Sequence, residues 1–568
     1  MKIRYVAINA KYAHTNLAVR YLKLATAKVF DDVDFLEYTI NHHTADILQD
    51  LILSKADALL FSCYIWNIDL CLHLAANVKK VRPETVIVLG GPEVSYSAAQ
   101  TLNRHPFVDF VLCGEGEVSA PALLTAIDKG ENPTGIPGVA TRQNPNPTFP
   151  LPVDMDELPF PYPDLSRLSN RAVYYESSRG CPFGCSYCLS SADRHTRFRS
   201  LELVYADIQK FLDAGVLRIK FVDRTFNVNK ERAMAIWQYA KEHDNGITCL
   251  HCEIGADLLT PEMTDFLNTL RPGLVQLEIG VQSTCAPTLL AVCRSTDLQA
   301  LYRNVTAVRK GGNIHQHLDL IAGLPGEDFD RFAQSYNDVF ALRPQQLQLG
   351  FLKLLKGSTL YADAPKYGLV FDDRAPYEVL KTDHISFEEL CTLKTVEEMT
   401  ESYYNTGRFA RQIEYLLTLT PSAFDLFLNL GSYYKSAVGS FKNAGKIEMY
   451  EVLYDYFKTL QAGDEQVFCA LALFDFITHE RPVKLPRHLA NSDAADHRAD
   501  YLRFLACEEN MAAYLPAYAG LDPKQVLRQV HFQHLSLPEG EVVVLCDYQS
   551  RRFDGEYTHF VFDKQSFA

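Results

Sequence analysis

Residues 172–188 read AVYYESSRGCPFGCSYC: a short apolar run, a Ser-Ser-Arg-Gly break, then Cys181, Cys185 and Cys188 in a CxxxCxxC spacing. The run is strand-like, and it opens a series of similar units, so the cysteine loop leaves the carboxyl end of a first strand. In a β/α barrel that end is the mouth, where active sites sit. Three soft thiolates on one short loop can ligate three irons of a cubane and leave the fourth without a protein ligand. Pro182 and Gly184 let the loop turn tightly, and Tyr187 sets an aromatic face beside the last thiol.

Downstream, five more strand patterns alternate with helical ones: LRIKFVD (217–223), TCLHCEIG (248–255), LVQLEIGVQS (274–283), IHQHLDLIAG (314–323) and QQLQLGFLKLL (345–355). Six units predict a partial (β/α)6 or full barrel over 171–368. Upstream, KIRYVAIN, VDFLEY, ADALLFSCYI, ETVIVLGG and FVDFVLCG alternate with amphipathic stretches, which predicts an open parallel α/β sheet, Rossmann-like, over 1–142. Between the two, 143–170 is proline-rich (NPNPTFPLPVDMDELPFPYPD) and reads as a linker, because proline denies helix hydrogen bonds. Residues 369–568 turn to long helical patterns with short strands near the end (EVVVLCDY, THFVFD), a helix-rich third domain. Its frequent tyrosines, Tyr403, Tyr404, Tyr433, Tyr434, Tyr450, Tyr454 and Tyr456, are expected in the core.

The 568 residues, 47% hydrophobic, suffice for several cores. No apolar run reaches membrane-spanning length and the opening residues lack a secretory pattern, so a cytoplasmic location is expected. The formal net charge of -15 gives no general attraction to phosphate backbones; nucleic acid is not the expected partner, although a local basic patch is compatible with an RNA loop. Fourteen cysteines in such a chain point to burial or metal binding rather than disulfides. Outside the CxxxCxxC loop they are expected to be small buried hydrophobes. Cys249 and Cys252 form a CxxC with no second pair at zinc-finger spacing, and burial on a strand is the expectation there too.

The segment CPFGCSYC, so placed, resembles the signature of the radical S-adenosylmethionine superfamily. The resemblance implies that Cys181, Cys185 and Cys188 hold a 4Fe-4S cluster, that the open iron chelates S-adenosylmethionine, and that Tyr187 contacts the adenine. Polar strand ends carry Glu253, Glu278, Gln282 and Ser283, expected to bind the cosubstrate. Asp319-Leu-Ile-Ala-Gly323-Leu-Pro-Gly326-Glu327 resembles the family's glycine motif after the fifth strand, where Gly323 lets backbone approach the nucleoside. The usual Gly-Gly-Glu after the second strand is absent; the chain reads VDRTFN there.

The first domain resembles the cobalamin-binding domain that precedes the barrel in one large subgroup. Ser62, Gly90, Gly91 and Glu115 fall at strand ends, where open sheets bind ligands. The DxHxxG motif whose histidine ligates cobalt is missing: the first loop reads Asn9-Ala-Lys-Tyr-Ala-His14-Thr-Asn16, and no histidine ligand to cobalt is expected. Trp66 is expected beside the corrin or in the core.

The resemblance implies a radical enzyme, anaerobic in its chemistry, that forms a 5′-deoxyadenosyl radical and methylates an unactivated carbon of an unknown substrate, with flavodoxin or ferredoxin as reductant. Three alternatives stay open. One is a cyclase or rearrangement enzyme using cobalamin without methyl transfer. Another is a tRNA methylthiotransferase, which needs three more cysteine ligands in the first domain, with Cys63, Cys71 and Cys113 as candidates. The third is a non-catalytic cobalamin or redox sensor.

Overall fold

The computed structural model describes every residue except 167, 169–170, 440–443, 490–496, 553–554, 566 and 568. The chain divides into two compact units, Met1–Phe329 with Gly350–Phe387, and Asp330–Leu349 with Glu388–Ala568.

The first unit begins with strands β1 (Ile3–Asn9), β2 (Val33–Thr39), β3 (Ala58–Ser62), β4 (Val86–Gly90), β5 (Phe110–Leu112) and β6 (Val139–Ala140). They lie in the order β2-β1-β3-β4-β5-β6, with only β6 antiparallel to its neighbour. Successive side chains point to opposite faces, and both faces are apolar. Val6, Ile8, Leu59, Phe61, Ile87 and Leu89 join one core, while Tyr5, Ala7, Leu60 and Val88 join the other. A sheet buried on both sides is what the uninterrupted apolar runs demand. Its order reverses between β1 and β3, and ligands of such sheets bind outside the carboxyl ends at that reversal.

The linker does not hang free. Met155, Leu158 and Tyr162 are buried, and the Arg199 guanidinium donates to the carbonyls of Met155 (2.6 Å) and Leu158 (2.8 Å). Three linker residues, at 167, 169 and 170, lie outside the described residues.

The second sheet starts with β7 (Ala172–Tyr175), followed by a two-residue antiparallel hairpin, β8 (Ser178–Arg179) with β9 (Arg197–Phe198), whose insertion is the cysteine loop. Then come β10 (Arg218–Phe221), β11 (Cys249–Ile254), β12 (Val275–Gln282) and β13 (His315–Ala322), all parallel in the order β13-β12-β11-β10-β7. A sixth strand, β14 (Gln346–Phe351), ends in this unit, where the Leu352 N–H donates to the Ala322 carbonyl at 3.0 Å. The sheet keeps two edges, so the partial barrel is the form realised.

An exposed β7 edge would leave backbone groups unpaired. The first domain's β1 loop covers it: the Ala172 N–H donates to the Ala13 carbonyl (2.8 Å), and the Tyr174 N–H to Thr15 Oγ1 (3.2 Å) and the Tyr162 hydroxyl (3.0 Å). A short antiparallel pair, β15 (Val370–Phe371) with β16 (Val379–Lys381), follows.

The second unit is mainly helical, with an antiparallel sheet of β17 (Val530–Leu537), β18 (Gly540–Arg551) and β19 (Tyr557–Asp563). The last barrel-pattern helix, Phe329–Phe340, falls largely in this unit, because its buried face (Phe332, Tyr336, Val339, Phe340) sets Tyr336 and Phe340 against Phe427. Tyr403, Tyr434, Tyr450 and Tyr456 are buried as expected, whereas Tyr404, Tyr433 and Tyr454 are only half-buried.

Candidate functional site

The cysteine loop is built by a backbone constraint. Gly180 has φ +88°, and a Cβ there would stand 2.3 Å from the His195 carbonyl oxygen, so only glycine lets the two arms meet. The Cys181 N–H then donates to the Asp193 carbonyl (3.0 Å), the Ser186 N–H to the Val292 carbonyl (2.9 Å), and the Cys188 N–H back to Cys185 (3.1 Å). The three thiols are free. Cys181 and Cys185 are buried and Cys188 is half-buried.

All three line one cavity of about 210 Å³ with Tyr187, Glu253, Glu278 and Gln282, so seven of the expected residues come together. Among the described residues no three ligating side chains close on a single ion. The three thiols line one space together, and a cluster needs one thiolate per iron. Arg294 also belongs here: its guanidinium donates to Cys185 Sγ (3.7 Å), the Tyr187 hydroxyl (3.4 Å) and the Gly280 carbonyl. Arg224, Asp257 and Asp319 complete the charged lining. No local spacing announces Arg294, since its partners lie on the cysteine loop and on β12.

The β12 end is strained. Gln282 has φ +72°, in the left-handed region, and the ladder to β13 slips between Gly280 and Gln282. Its Oε1 is buried without a partner, an acceptor aimed at whatever fills the cavity. Ser283 and Gly323 do not line the cavity. Ser283 Oγ donates to Glu327 (2.8 Å) and accepts from the Cys285 N–H (2.9 Å), while Gly323, at φ +84°, makes the turn after β13.

The two glutamates differ electrostatically. Burial opposes ionisation of Glu278, but His251 Nε2 (2.8 Å) and Lys220 Nζ (2.9 Å) outweigh it and hold the carboxyl at about 2. Burial and then the neighbouring Glu278 charge push Glu253 up to about 7.

In the first domain, Ser62, Gly90, Gly91 and Glu115 stand at or just beyond the carboxyl ends of β3, β4 and β5, with Ser62 beside Gly90 in register. Gly91, at φ +109°, is required by the chain itself, since a Cβ would lie 2.5 Å from the Cys63 carbonyl oxygen. Glu115 is ion-paired with Arg179 (3.3 Å) and Arg197. Trp66 is exposed, stacked flat on Tyr64 at 4.4 Å, so it is not core. His14 meets the Tyr174 ring edge-on at 5.6 Å.

Cys63, Cys71 and Cys113 are fully buried in the apolar core, where they offer no open ligand set. Cys252 is buried on β11 and Cys249 half-buried. Burial is not the fate of every other cysteine: Cys293 and Cys391 are exposed.

A three-thiol loop at the carboxyl edge of a parallel β/α sheet, directly behind a doubly wound domain, defines a cobalamin-binding radical S-adenosylmethionine protein. Family models for both domains match this chain. Its residues 3–124 match the B12 binding domain, 175–339 the Radical SAM superfamily, and 365–542 a family described as protein of unknown function (DUF4080). It is similar to the cobalamin-dependent radical SAM methyltransferase TokK of Streptomyces tokunonensis, with 26% identity over 340 residues, 56% of this chain and 48% of that protein. It is also similar to the hopanoid C-3 methylase of Methylococcus capsulatus, with 27% identity over 317 residues, 53% of this chain and 59% of that one. The chain thus spans about half the length of these curated relatives. The fold resembles that of the cobalamin-dependent S-adenosylmethionine radical enzyme OxsB, with a TM-score of 0.60 at 14% identity over 81% of this chain and 79% of that one. Among the described residues no helix is long and apolar enough to cross a membrane.

Proposed function

We propose that the protein is a cobalamin-dependent radical S-adenosylmethionine enzyme that methylates an unactivated carbon of its substrate. The observation that carries this reading is the cavity itself: three free thiols, an orphaned amide oxygen on Gln282 and two unlike carboxylates face one space at the sheet's carboxyl edge.

The donor set fits the cofactors. Cys181, Cys185 and Cys188 would hold the cluster, and Tyr187, Glu253, Glu278 and Gln282 would hold S-adenosylmethionine. The flat Tyr64–Trp66 pair and the strand ends at Ser62 and Gly90 would meet the corrin. When bound, cluster, S-adenosylmethionine and cobalamin together supply a 5′-deoxyadenosyl radical and a transferable methyl group. The chain's own residues position and exclude. Arg294 orients Tyr187 and sets a positive charge at Cys185, and Gln282 Oε1, buried without a partner, would accept a hydrogen bond from what fills the cavity. Methylation rather than cyclisation is favoured by the two methyltransferase relatives. Ser283 and Gly323 support the turns around the site, and flavodoxin or ferredoxin is the proposed reductant, in the cytoplasm.

The test is anaerobic reconstitution with iron, sulfide and hydroxocobalamin. About four irons and about one cobalt per chain, with iron absent from Cys185→Ala, is the expected result. Iron without cobalt overturns the cobalamin reading, and a product lacking the mass of an added methylene overturns methylation.

A further inference from the structure

The cysteine loop is an insertion whose two arms meet at the β8–β9 hairpin, and the residues paired across that neck are Arg179 and Arg197. Two like charges directly opposite each other on a ladder repel. The neck is nevertheless closed, because carboxylates of the first domain reach it. Glu115 pairs with Arg197 and with Arg179 (3.3 Å), and Glu117 pairs with Arg179 (2.6 Å). Glu176 (2.6 Å) and Asp193 (3.5 Å) add local partners to Arg179 and Arg197 respectively.

The cluster of charges is mostly shielded from water: side-chain exposure is 15% for Arg179, 21% for Arg197, 24% for Glu115 and 11% for Glu117. Glu115 is fixed in turn by the Val153 N–H (2.9 Å), and Arg197 by the Val153 carbonyl (2.6 Å). Against burial, Arg197 and the Val153 N–H hold the Glu115 carboxyl below its ordinary range. Gly180 and then Cys181 follow Arg179 directly, so the neck sets where the first thiol begins.

We propose that Glu115 and Glu117 are positioning residues for the metal centre: from the corrin-binding domain they neutralise the Arg179–Arg197 neck and so hold the three-thiol loop in its ligating form. The proposal rests on the reading of that loop as the cluster site. It assigns the two glutamates to the neck rather than to a cofactor, and makes cluster retention dependent on the first domain.

The test uses full-length protein reconstituted anaerobically, with iron release to a chelator and the electron paramagnetic resonance spectrum of the reduced cluster as readouts. Glu115→Gln/Glu117→Gln is expected to release iron about tenfold faster, ~1.4 kcal/mol, a coupling typical of residues in one ion network, and to broaden the spectrum. Glu37→Gln is the control. Glu37 also joins the first domain to the barrel, through Arg171 (2.9 Å) at the entry to β7, but does not touch the neck. Its variant is expected to release iron within twofold of the parent. Adding Arg197→Gln to the double variant removes one repelling cation and is expected to recover part of the lost retention.

Parental release from the double variant, acceleration in Glu37→Gln equal to that of the double variant, or no recovery with Arg197→Gln each overturns the proposal. A parent chain that assembles no cluster overturns the radical reading instead, and the two failures are thereby told apart.

Discussion

Two sets of three cysteines lie within one compact unit and have opposite fates. Cys63, Cys71 and Cys113 point into the apolar core of the first sheet; the Cys71 thiol and burial push the Cys63 thiol well up, and burial lifts Cys113 to about 11. Cys181, Cys185 and Cys188 ring a polar cavity, with a guanidinium 3.7 Å from Cys185. A thiol in the first setting is a small hydrophobe, and in the second it faces an open polar space where it can serve as a ligand. Surroundings, rather than residue type, separate structural from chemical cysteine.

The largest effect expected from breaking this contrast is at Cys185. Cys185→Ala should drop iron from about four per chain to near zero, while Cys113→Ala should keep full iron and lose about 1 kcal/mol of stability, an ordinary core loss. Iron analysis and thermal unfolding of the two variants side by side check it.

How much of this was legible in the sequence follows from range. The three thiols and their spacing are local, and the sheets announce themselves through period-two and apolar runs, so both parallel sheets could be read directly, while whether the barrel closes could not. Glu115 could not. Its partner Arg197 is 82 residues away, and an acidic residue beside a glycine at a strand end looks like a ligand site until the fold brings the cation to it. Arg294 was hidden for the same reason, 109 residues from Cys185. Gly91 stands at a strand end where open sheets bind ligands, but its missing Cβ is first of all room for the Cys63 carbonyl.

The next effect is at the loop's hinge. Gly180→Ala must strain a left-handed backbone, about 1–2 kcal/mol, and also displace the His195 carbonyl, so cluster iron should fall and the melting temperature drop. Gly130→Ala, at φ +69° with nothing within 4 Å, bears only the backbone strain and should keep its iron. Equal iron loss in both would mean that the loop does not depend on the close approach at Gly180.

The smallest effect sharpens the contrast within the cavity, between Glu253 and Glu278. Glu253 is raised from 4.5 to about 7, so the folded state binds more protons than the unfolded one between those values, and its contribution to stability is lost as pH rises from 4.5 through 7. Glu278 is lowered from 4.5 to about 2, so its contribution is present above 4.5 and is lost as pH falls toward 2. Glu253→Gln should therefore flatten the decline of the melting temperature between pH 4.5 and 7 and leave the acid limb unchanged, whereas Glu278→Gln should weaken stability above 4.5 and flatten the acid limb. Melting curves of the apoprotein across pH 3 to 8 separate the two. Identical profiles would mean that Lys220 and His251 do not distinguish these carboxylates, and that the cavity holds one kind of acid rather than two.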